Sequence, residues 1–339
     1  MTENKHEDDT RIEHVGSPTS GPNPTFGAKL KAHLKRWWVY VAFPKIAQDG
    51  VDGSVVDIES MILSEPTPTS FHLKQEQFIR SNNTYHPRLD SFNASLFLED
   101  TLPDIKPFAY IQLPPIQSGD RVPMSLDQTV QIADLEQFTK YSTLVMNSEE
   151  YRLGIRGRVG LHEMAFPVTT VDYNEVVTLK GLNGLQGFDV VSYKILGKAE
   201  PDGANMIGKV YIPNPSVMTI AMVTFPLHSW CQCKSQKKTY NVHQGNVTMN
   251  LYVQGDFIGT SLLPDLVLRP GNNTVDMRST TDQEVIFGKL SEFEDGLIPI
   301  DIVGNSSVYH GQHLTYYEAA LKSNTQHIKL DLASAGTGV

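Results

Sequence analysis

Alternating apolar and polar positions recur along most of the chain from Val51 onward, and they predict strands. The runs at 55–63, 92–100, 151–159, 188–196, 208–215, 247–255 and 274–280 join partial alternation to β-branched and aromatic content. Proline and glycine bound them, as in Pro66-Thr67-Pro68, Pro114-Pro115, Asn183-Gly184, Pro201-Asp202-Gly203 and Pro270-Gly271. Two stretches follow a 3.6-residue period instead. In 126–146 the apolar positions are Val130, Ala133, Leu135, Phe138, Tyr141 and Val145; in 311–323 they are Leu314, Tyr317, Ala320 and Leu321. Both predict helices. The glycine-rich run at 154–160 reads as a strand, and its arginines place that strand at the surface.

The two halves repeat one another. Asp57-Ile58-Glu59-Ser60 resembles Asp189-Val190-Val191-Ser192 at an offset of 132, and Asn93-Ala94-Ser95-Leu96 resembles Asn246-Val247-Thr248-Met249 at 153. Val122 and Met124 match Val275 and Met277, again at 153. The matches agree in order and spacing apart from one jump between residues 192 and 246. Inside that window, 223–244 holds both cysteines of the chain, one of its three tryptophans and a lysine cluster. This segment reads as an insertion into a strand–strand connection. Without it, Gly245-Asn246 would turn a hairpin between its flanking strands.

Charge and composition then narrow the partners. The net charge is −10, which argues against nucleic acid, since phosphate neutralisation needs a basic footprint. Residues 1–25 are polar, acidic and rich in proline and glycine, a composition that stays disordered. A basic cluster follows (Lys29, Lys31, His33, Lys35, Arg36) and leads into Trp37, Trp38, Val39, Tyr40, Val41, Ala42 and Phe43. Basic residues before interfacial tryptophan mark the cytosolic entry of a membrane helix. A span needs about 20 apolar residues, and this run ends at Pro44 and Lys45. Its alternative readings are a surface amphipathic stretch or a short first strand. No signal-peptide pattern is present.

Candidate chemistry is sparse. His228, Cys231, Cys233 and His243 have donor types that suit zinc, but all four fall in the apparent insertion and no further cysteine completes the set, so no metal or cofactor is expected. A Cys231–Cys233 disulfide would close a strained ring. The sequence carries no nucleophile elbow, zinc-protease, P-loop or dinucleotide fingerprint, and the acidic pairs Glu99-Asp100 and Glu149-Glu150 read as solvated turns. The chain reads as non-enzymatic. N-glycosylation sequons fall at Asn82, Asn93, Asn246, Asn272 and Asn305, all beyond the Trp37-Trp38 segment. That placement fits a lumenal C-terminal region and a cytosolic N-terminus.

Certain residues carry a resemblance. The run Tyr211-Ile212-Pro213-Asn214-Pro215-Ser216, followed by Thr219-Ile220, Asn250-Leu251-Tyr252-Val253, Gly255 and Ile258-Gly259, resembles the Asn-Pro signature of late-embryogenesis-abundant, water-stress type β-sandwich modules. More broadly, the segments at 39–48, 61–73, 266–280 and 303–321 resemble an uncharacterised family of membrane-anchored fungal proteins. The resemblance covers about Trp37 to Leu332. It implies a disordered cytosolic tail, one transmembrane helix and a β-rich lumenal region at the vacuole or another endomembrane. This chain departs from it by lacking the apolar span and by carrying 223–244. Exon–intron errors explain both departures: the 22-residue insert matches a short retained intron, and Val223 and Gln244 suit splice-site codons. Sequencing the transcript tests this, and a message with the insert and without the span contradicts it.

The fold expected is mainly β: two tandem antiparallel β-sandwich-like modules with a few helices, behind a disordered N-terminal tail. The expected boundaries are 1–36 (cytosolic tail), 37–50 (remnant of a membrane anchor), 51–180 and 181–332 (the modules) and 333–339 (tail). The expected function is a membrane-tethered lumenal binding or scaffolding module, with lipid or protein as partner. The alternatives are a lipid-binding module with an apolar groove and a hydrolase of unrecognised type. Because a seven-residue apolar run does not span, the chain as written is expected to be soluble.

Overall fold

The computed structural model describes residues 31, 34–81, 87–164, 166–222, 245–293 and 296–331. The expected tails at 1–25 and 333–339 and the insertion at 223–244 lie outside them. Residues 1–45 and 46–339 are two separate compact units.

In the first unit, residues 34–37 are helical and lead into a π-helical turn, Trp38–Ala42, closed by the Phe43 N–H donating to the Trp38 carbonyl. The helix α1 (Phe43–Asp52) runs on from it. The reading of 37–43 as a short first strand is therefore corrected to helix. Pro44 lies inside this continuous helical run, immediately after the π-helical turn, where the regular hydrogen-bond ladder is already interrupted.

The second unit is mainly β. Its first half comprises β1 (Ser54–Ser64), β2 (Ser70–Ser81), β3 (Arg88–Leu89), β4 (Phe92–Leu98), β5 (Ala109–Leu113), β6 (Ile116–Gln117), β7 (Val122–Gln131), α2 (Leu135–Asn147), β8 (Glu150–His162) and β9 (Thr169–Lys180). Its second half comprises β10 (Asp189–Ile195), β11 (Met206–Asn214), β12 (Met218–Ala221), β13 (Gly245–Val253), β14 (Asp256–Pro264), β15 (Val267–Leu268), β16 (Gly271–Thr281), α3 (Gln283–Lys289), β17 (Leu297–Tyr309), β18 (Gln312–His313), α4 (Thr315–Lys322) and β19 (Thr325–Asp331).

The same pairing order occurs twice. In the first half the β1–β2 hairpin is extended by β7, while β4 pairs both β5 and β8, and β8 pairs β9. In the second half the β10–β11 hairpin is extended by β16, while β13 pairs both β14 and β17, and β17 pairs β19. All these ladders are antiparallel. The sequence matches fall on equivalent strands: Asp57 and Asp189 on β1 and β10, Asn93 and Asn246 as second residues of β4 and β13, Val122 and Val275 on β7 and β16.

In the first half, the inward positions of β1 and β2 (Met61, Leu63, Phe71, Leu73) face those of β4 and β8 (Leu96, Leu153) across a small cavity. This is the interleaved core of a sandwich. The strand β2 was hard to foresee because two of its inward residues are polar. Gln75 and Gln77 are both buried and satisfy one another by a side-chain hydrogen bond.

Three sequence readings need correction. The helix read over 126–146 is strand as far as Gln131, where Met124, Leu126 and Val130 alternate inward; the helix begins only at Leu135, capped by Asp134, whose carboxylate accepts from the Gln137 N–H at 3.0 Å. The glycine-rich run lies within β8, an interior strand paired on both sides. Its arginines Arg156 and Arg158 do face solvent, but a β-carbon on Gly154 or Gly157 would lie 2.3 or 2.5 Å from the rings of Phe97 and Phe92. Gly245-Asn246 turns no hairpin. Both residues lie inside β13, and the preceding strand, β12, belongs to another sheet.

That strand joins the halves. β12 pairs in parallel with β1 (Met61 opposite Met218, Leu63 opposite Ile220) and antiparallel with β15, so two second-half strands extend a first-half sheet. Beside it, α2 packs on α4. Phe138 meets Tyr316 edge to face at 4.8 Å, the Tyr316 hydroxyl donates to the Thr67 carbonyl at 2.9 Å, and Asn147 donates to the Ser323 hydroxyl at 2.7 Å.

Candidate functional site

The residues that carry the Asn-Pro signature build the link between the halves. The Asn214 side chain is buried. Its amide donates to the Met218 carbonyl at 2.7 Å, and its oxygen accepts from the N–H and hydroxyl of Ser216 at 3.0 and 2.6 Å. The Ser216 hydroxyl oxygen in turn accepts from the Met218 N–H at 3.1 Å. Asparagine followed by proline favours such a turn, because the side chain replaces the ladder bonds that proline cannot make. Here the turn lifts the chain off β11 and sends β12 to β1. Asn273 acts similarly at the other end of the graft. It accepts from the Arg269 N–H at 2.9 Å and donates to the carbonyls of Arg269 and Ile212.

A second polar group lies where α1 meets β9. Gln48 and the backbone of Asp172 exchange hydrogen bonds at 2.7 and 2.8 Å, as two strand residues would. Three residues on, Glu175 sits on the inward side of β9 with Tyr173 and Val177. Burial pushes its carboxyl up, the Ser54 hydroxyl pulls it back, and the charge of Asp52 raises it further, to about 7. The Ser54 oxygen lies 2.7 Å from the Val51 carbonyl and 2.8 Å from Glu175 Oε1. The Ser54 hydroxyl therefore has its one proton shared between two acceptors, the Val51 carbonyl and the Glu175 carboxyl. Sequence reading missed this group, since one glutamate in an alternating strand looks solvated.

Among the described residues, the other titratable groups do not converge on a cleft. Tyr141 and Tyr151 are buried with their hydroxyls 3.4 Å apart, both directed at the Met218 sulfur, and burial raises both. Arg278 is held by Glu200 and Asp202, whose carboxyl it lowers to about 2. Four histidines lie within 2.9 Å of a carboxylate: His72 with Asp127, His162 with Asp90, His313 with Glu318 and His327 with Asp301. These four pairs are dispersed over separate strands.

Three small cavities lie among the described residues. One of about 30 Å³ lies between the first-half layers, another of about 30 Å³ beside Val51 and Tyr173, and a third of about 20 Å³ under Ile286 and Phe287. Each holds about one water molecule, so none is the continuous apolar groove that the lipid-binding alternative requires. A depression of about 650 Å³, open to solvent, crosses β10, β11 and β16 near Lys194, Lys209 and Asp276.

The sequence-predicted sites are scattered. Asn82 lies outside the described residues, as do His228, Cys231, Cys233 and His243. Asn93 is exposed on β4. Asn246 is half-buried, with its side-chain oxygen enclosed and unpaired among the described residues. Asn272 is exposed and accepts from the Tyr211 hydroxyl at 2.8 Å. Asn305 is half-buried at a bulge of β17. Glu99 pairs with Arg152 at 2.8 Å, and Glu149-Glu150 is exposed. Among the described residues no three His, Cys, Asp or Glu side chains gather as metal ligands, and no helix is long and apolar enough to cross a membrane.

The fold defines a mainly β protein of antiparallel sheets. Within it, residues 106–228 match a family described as "Protein of unknown function (DUF3712)". That match begins before β5 and ends beyond β12, so it straddles both halves. None of the curated proteins matches the sequence. Solved structures similar to the chain include a cross-linked bacterial adhesin from Mobiluncus mulieris (8% identity, 82% of this chain, 98% of that chain, TM-score 0.21). They also include red sea bream transglutaminase (8%, 82% and 31%, TM-score 0.23) and the periplasmic chaperone SfaE (8%, 76% and 98%, TM-score 0.19). At these TM-scores none carries an argument about shape or role.

Proposed function

We propose that this chain is a non-enzymatic, membrane-tethered scaffold or binding module whose β-rich region lies in the lumen of the vacuole or another endomembrane compartment. The single observation that carries the scaffold reading is the strand graft. Grafting β12 onto β1 ties the halves together through a sheet. The two modules, 51–180 and 181–332, are then copies of one ancestral unit. The lumenal side and the use of Asn93, Asn246, Asn272, Asn305 and Asn82 as glycan acceptors follow from the sequons, and the fungal, vacuolar setting from the resemblance. Expression of the full transcript product in a fungal host, followed by membrane fractionation and endoglycosidase digestion, tests the reading. A membrane-associated, glycosidase-sensitive protein supports it. An unglycosylated protein found only in the cytosol overturns it.

A further inference from the structure

The segment that precedes the β unit has surface chemistry of its own. Residues 34–37 and the turn Trp38–Ala42 are helical. Leu34, Trp37 and Trp38 stand at i, i+3 and i+4, on one face, and are 58%, 56% and 45% exposed. Tyr40 is 67% exposed. An indole pair and a tyrosine left in water are uncommon on a soluble surface, because aromatic rings carry the largest apolar areas of any side chains. Lys31, Lys35, Arg36 and Lys45 are exposed around them, and none has an ion-pair partner among the described residues. No acidic residue occurs between 31 and 45, in a chain whose net charge is −10.

We propose that residues 34–45, with Lys31, form a peripheral docking surface for an anionic lipid bilayer, lying in the headgroup region with Trp37 and Trp38 inserted and the basic side chains on lipid phosphates. The proposal rests on the membrane-association part of the membrane-tethered reading alone and departs from its topology: without a span, this segment and the strands that follow it lie on one side of the bilayer. Charge and side-chain type select the occupant. Tryptophan and tyrosine settle at the bilayer interface, where one edge of the ring is wet and the other apolar. Lysine and arginine gain from the negative potential of an anionic leaflet. The segment is too short to cross, and Pro44 and Lys45 close its apolar run.

The test is vesicle flotation of the full chain, with tryptophan emission as a second readout. Two of the three tryptophans lie in this segment, so insertion shifts the emission to the blue. Phosphatidylcholine vesicles are compared with phosphatidylcholine–phosphatidylserine vesicles, at low and high salt. The expected result is flotation and a blue shift with the anionic vesicles only, suppressed by salt. Trp37→Ala with Trp38→Ala, and Lys35→Glu with Arg36→Glu, each weaken binding by roughly tenfold or more. These side chains are exposed, so both variants keep the wild-type circular dichroism and melting temperature. Wild-type protein that ignores anionic vesicles, or variants that bind as wild type does, overturn the proposal. A chain found on membranes in cells yet indifferent to anionic vesicles overturns this proposal and spares the tethering reading. A chain that binds anionic vesicles yet stays off membranes in cells does the reverse.

Discussion

The two halves of the β unit use one strand order and finish it differently. In the second half, β14 pairs β16 over four residue pairs, and the strands form one continuous sheet. In the first half the equivalent strands, β5 and β7, share no backbone ladder: an isolated bridge between Ala109 and Ile132 and two hydrogen bonds between the Gln128 side chain and the Gln112 backbone link them, so two sheets remain. The β11-to-β13 connection of the second half sends β12 across to β1, whereas the β2-to-β4 connection of the first half keeps its short strand, β3, on its own β8. Shared pairing order therefore does not fix which sheet a connecting strand joins. The local turn decides that, and here the turn is Asn214-Pro215-Ser216.

The largest expected effect is at the packing that accompanies the graft. Tyr316 is fully buried. Tyr316→Ala should cost about 3–5 kcal/mol in denaturant unfolding, as for other large core aromatics. Tyr316→Phe should cost only about 1 kcal/mol for the lost bond to Thr67. A small effect of the alanine variant would mean that α2 and α4 do not hold the halves together.

Much of this was legible in the sequence, and the failures have physical causes. The repeat was readable because Asp57, Asn93 and Val122 keep their strand positions in both halves. The graft was not, because a four-residue strand such as β12 has no period of its own, and its partner β1 lies more than 150 residues away. The start of α2 was misplaced because Val130, Ala133 and Leu135 fit a helical period across a strand–helix junction, and only the Asp134 cap marks the break. The Trp-rich segment shows its chemistry in the sequence but not its conformation, because seven apolar residues in a row carry neither a helical nor a strand period.

The turn itself comes next in size. Asn214→Ala leaves the Met218 carbonyl and the Ser216 N–H short of a buried partner, and should cost about 1–3 kcal/mol. Asn214→Asp restores the acceptor but not the donor, and should recover part of that loss. Equal costs for the two variants would show that the Met218 carbonyl bond carries the turn.

A smaller, pH-dependent effect is expected at Glu175. Its carboxyl titrates at about 7 in the folded chain, against an ordinary value of 4.5. The folded state therefore holds a proton that the unfolded state has released between those values, and this group's contribution to stability falls as pH rises from 4.5 through 7. Glu175→Gln should flatten that part of the melting-temperature profile, and the wild type should be the more pH-sensitive protein. An unchanged slope would show that Glu175 is ionised throughout.

The last expectation concerns 223–244. A β-carbon built on Gly245 would lie 2.2 Å from the Met222 carbonyl oxygen, so the residues that flank that segment already meet. Replacing the 22 residues by a two-glycine link should raise stability, by up to about 2 kcal/mol from loop-closure entropy alone. Loss of folding would show that the segment belongs to the core of the second half.

The central claim is that the halves are joined through β12 into one cooperative body. Hydrogen exchange along a urea series, read by mass spectrometry, tests it most directly. Peptides from β2 and β8 report the first half, and peptides from β13 and β17 the second. The expected result is one midpoint for all four, displaced together by Asn214→Ala. Two separated midpoints, with the first half's protection unaffected by that substitution, would contradict the account.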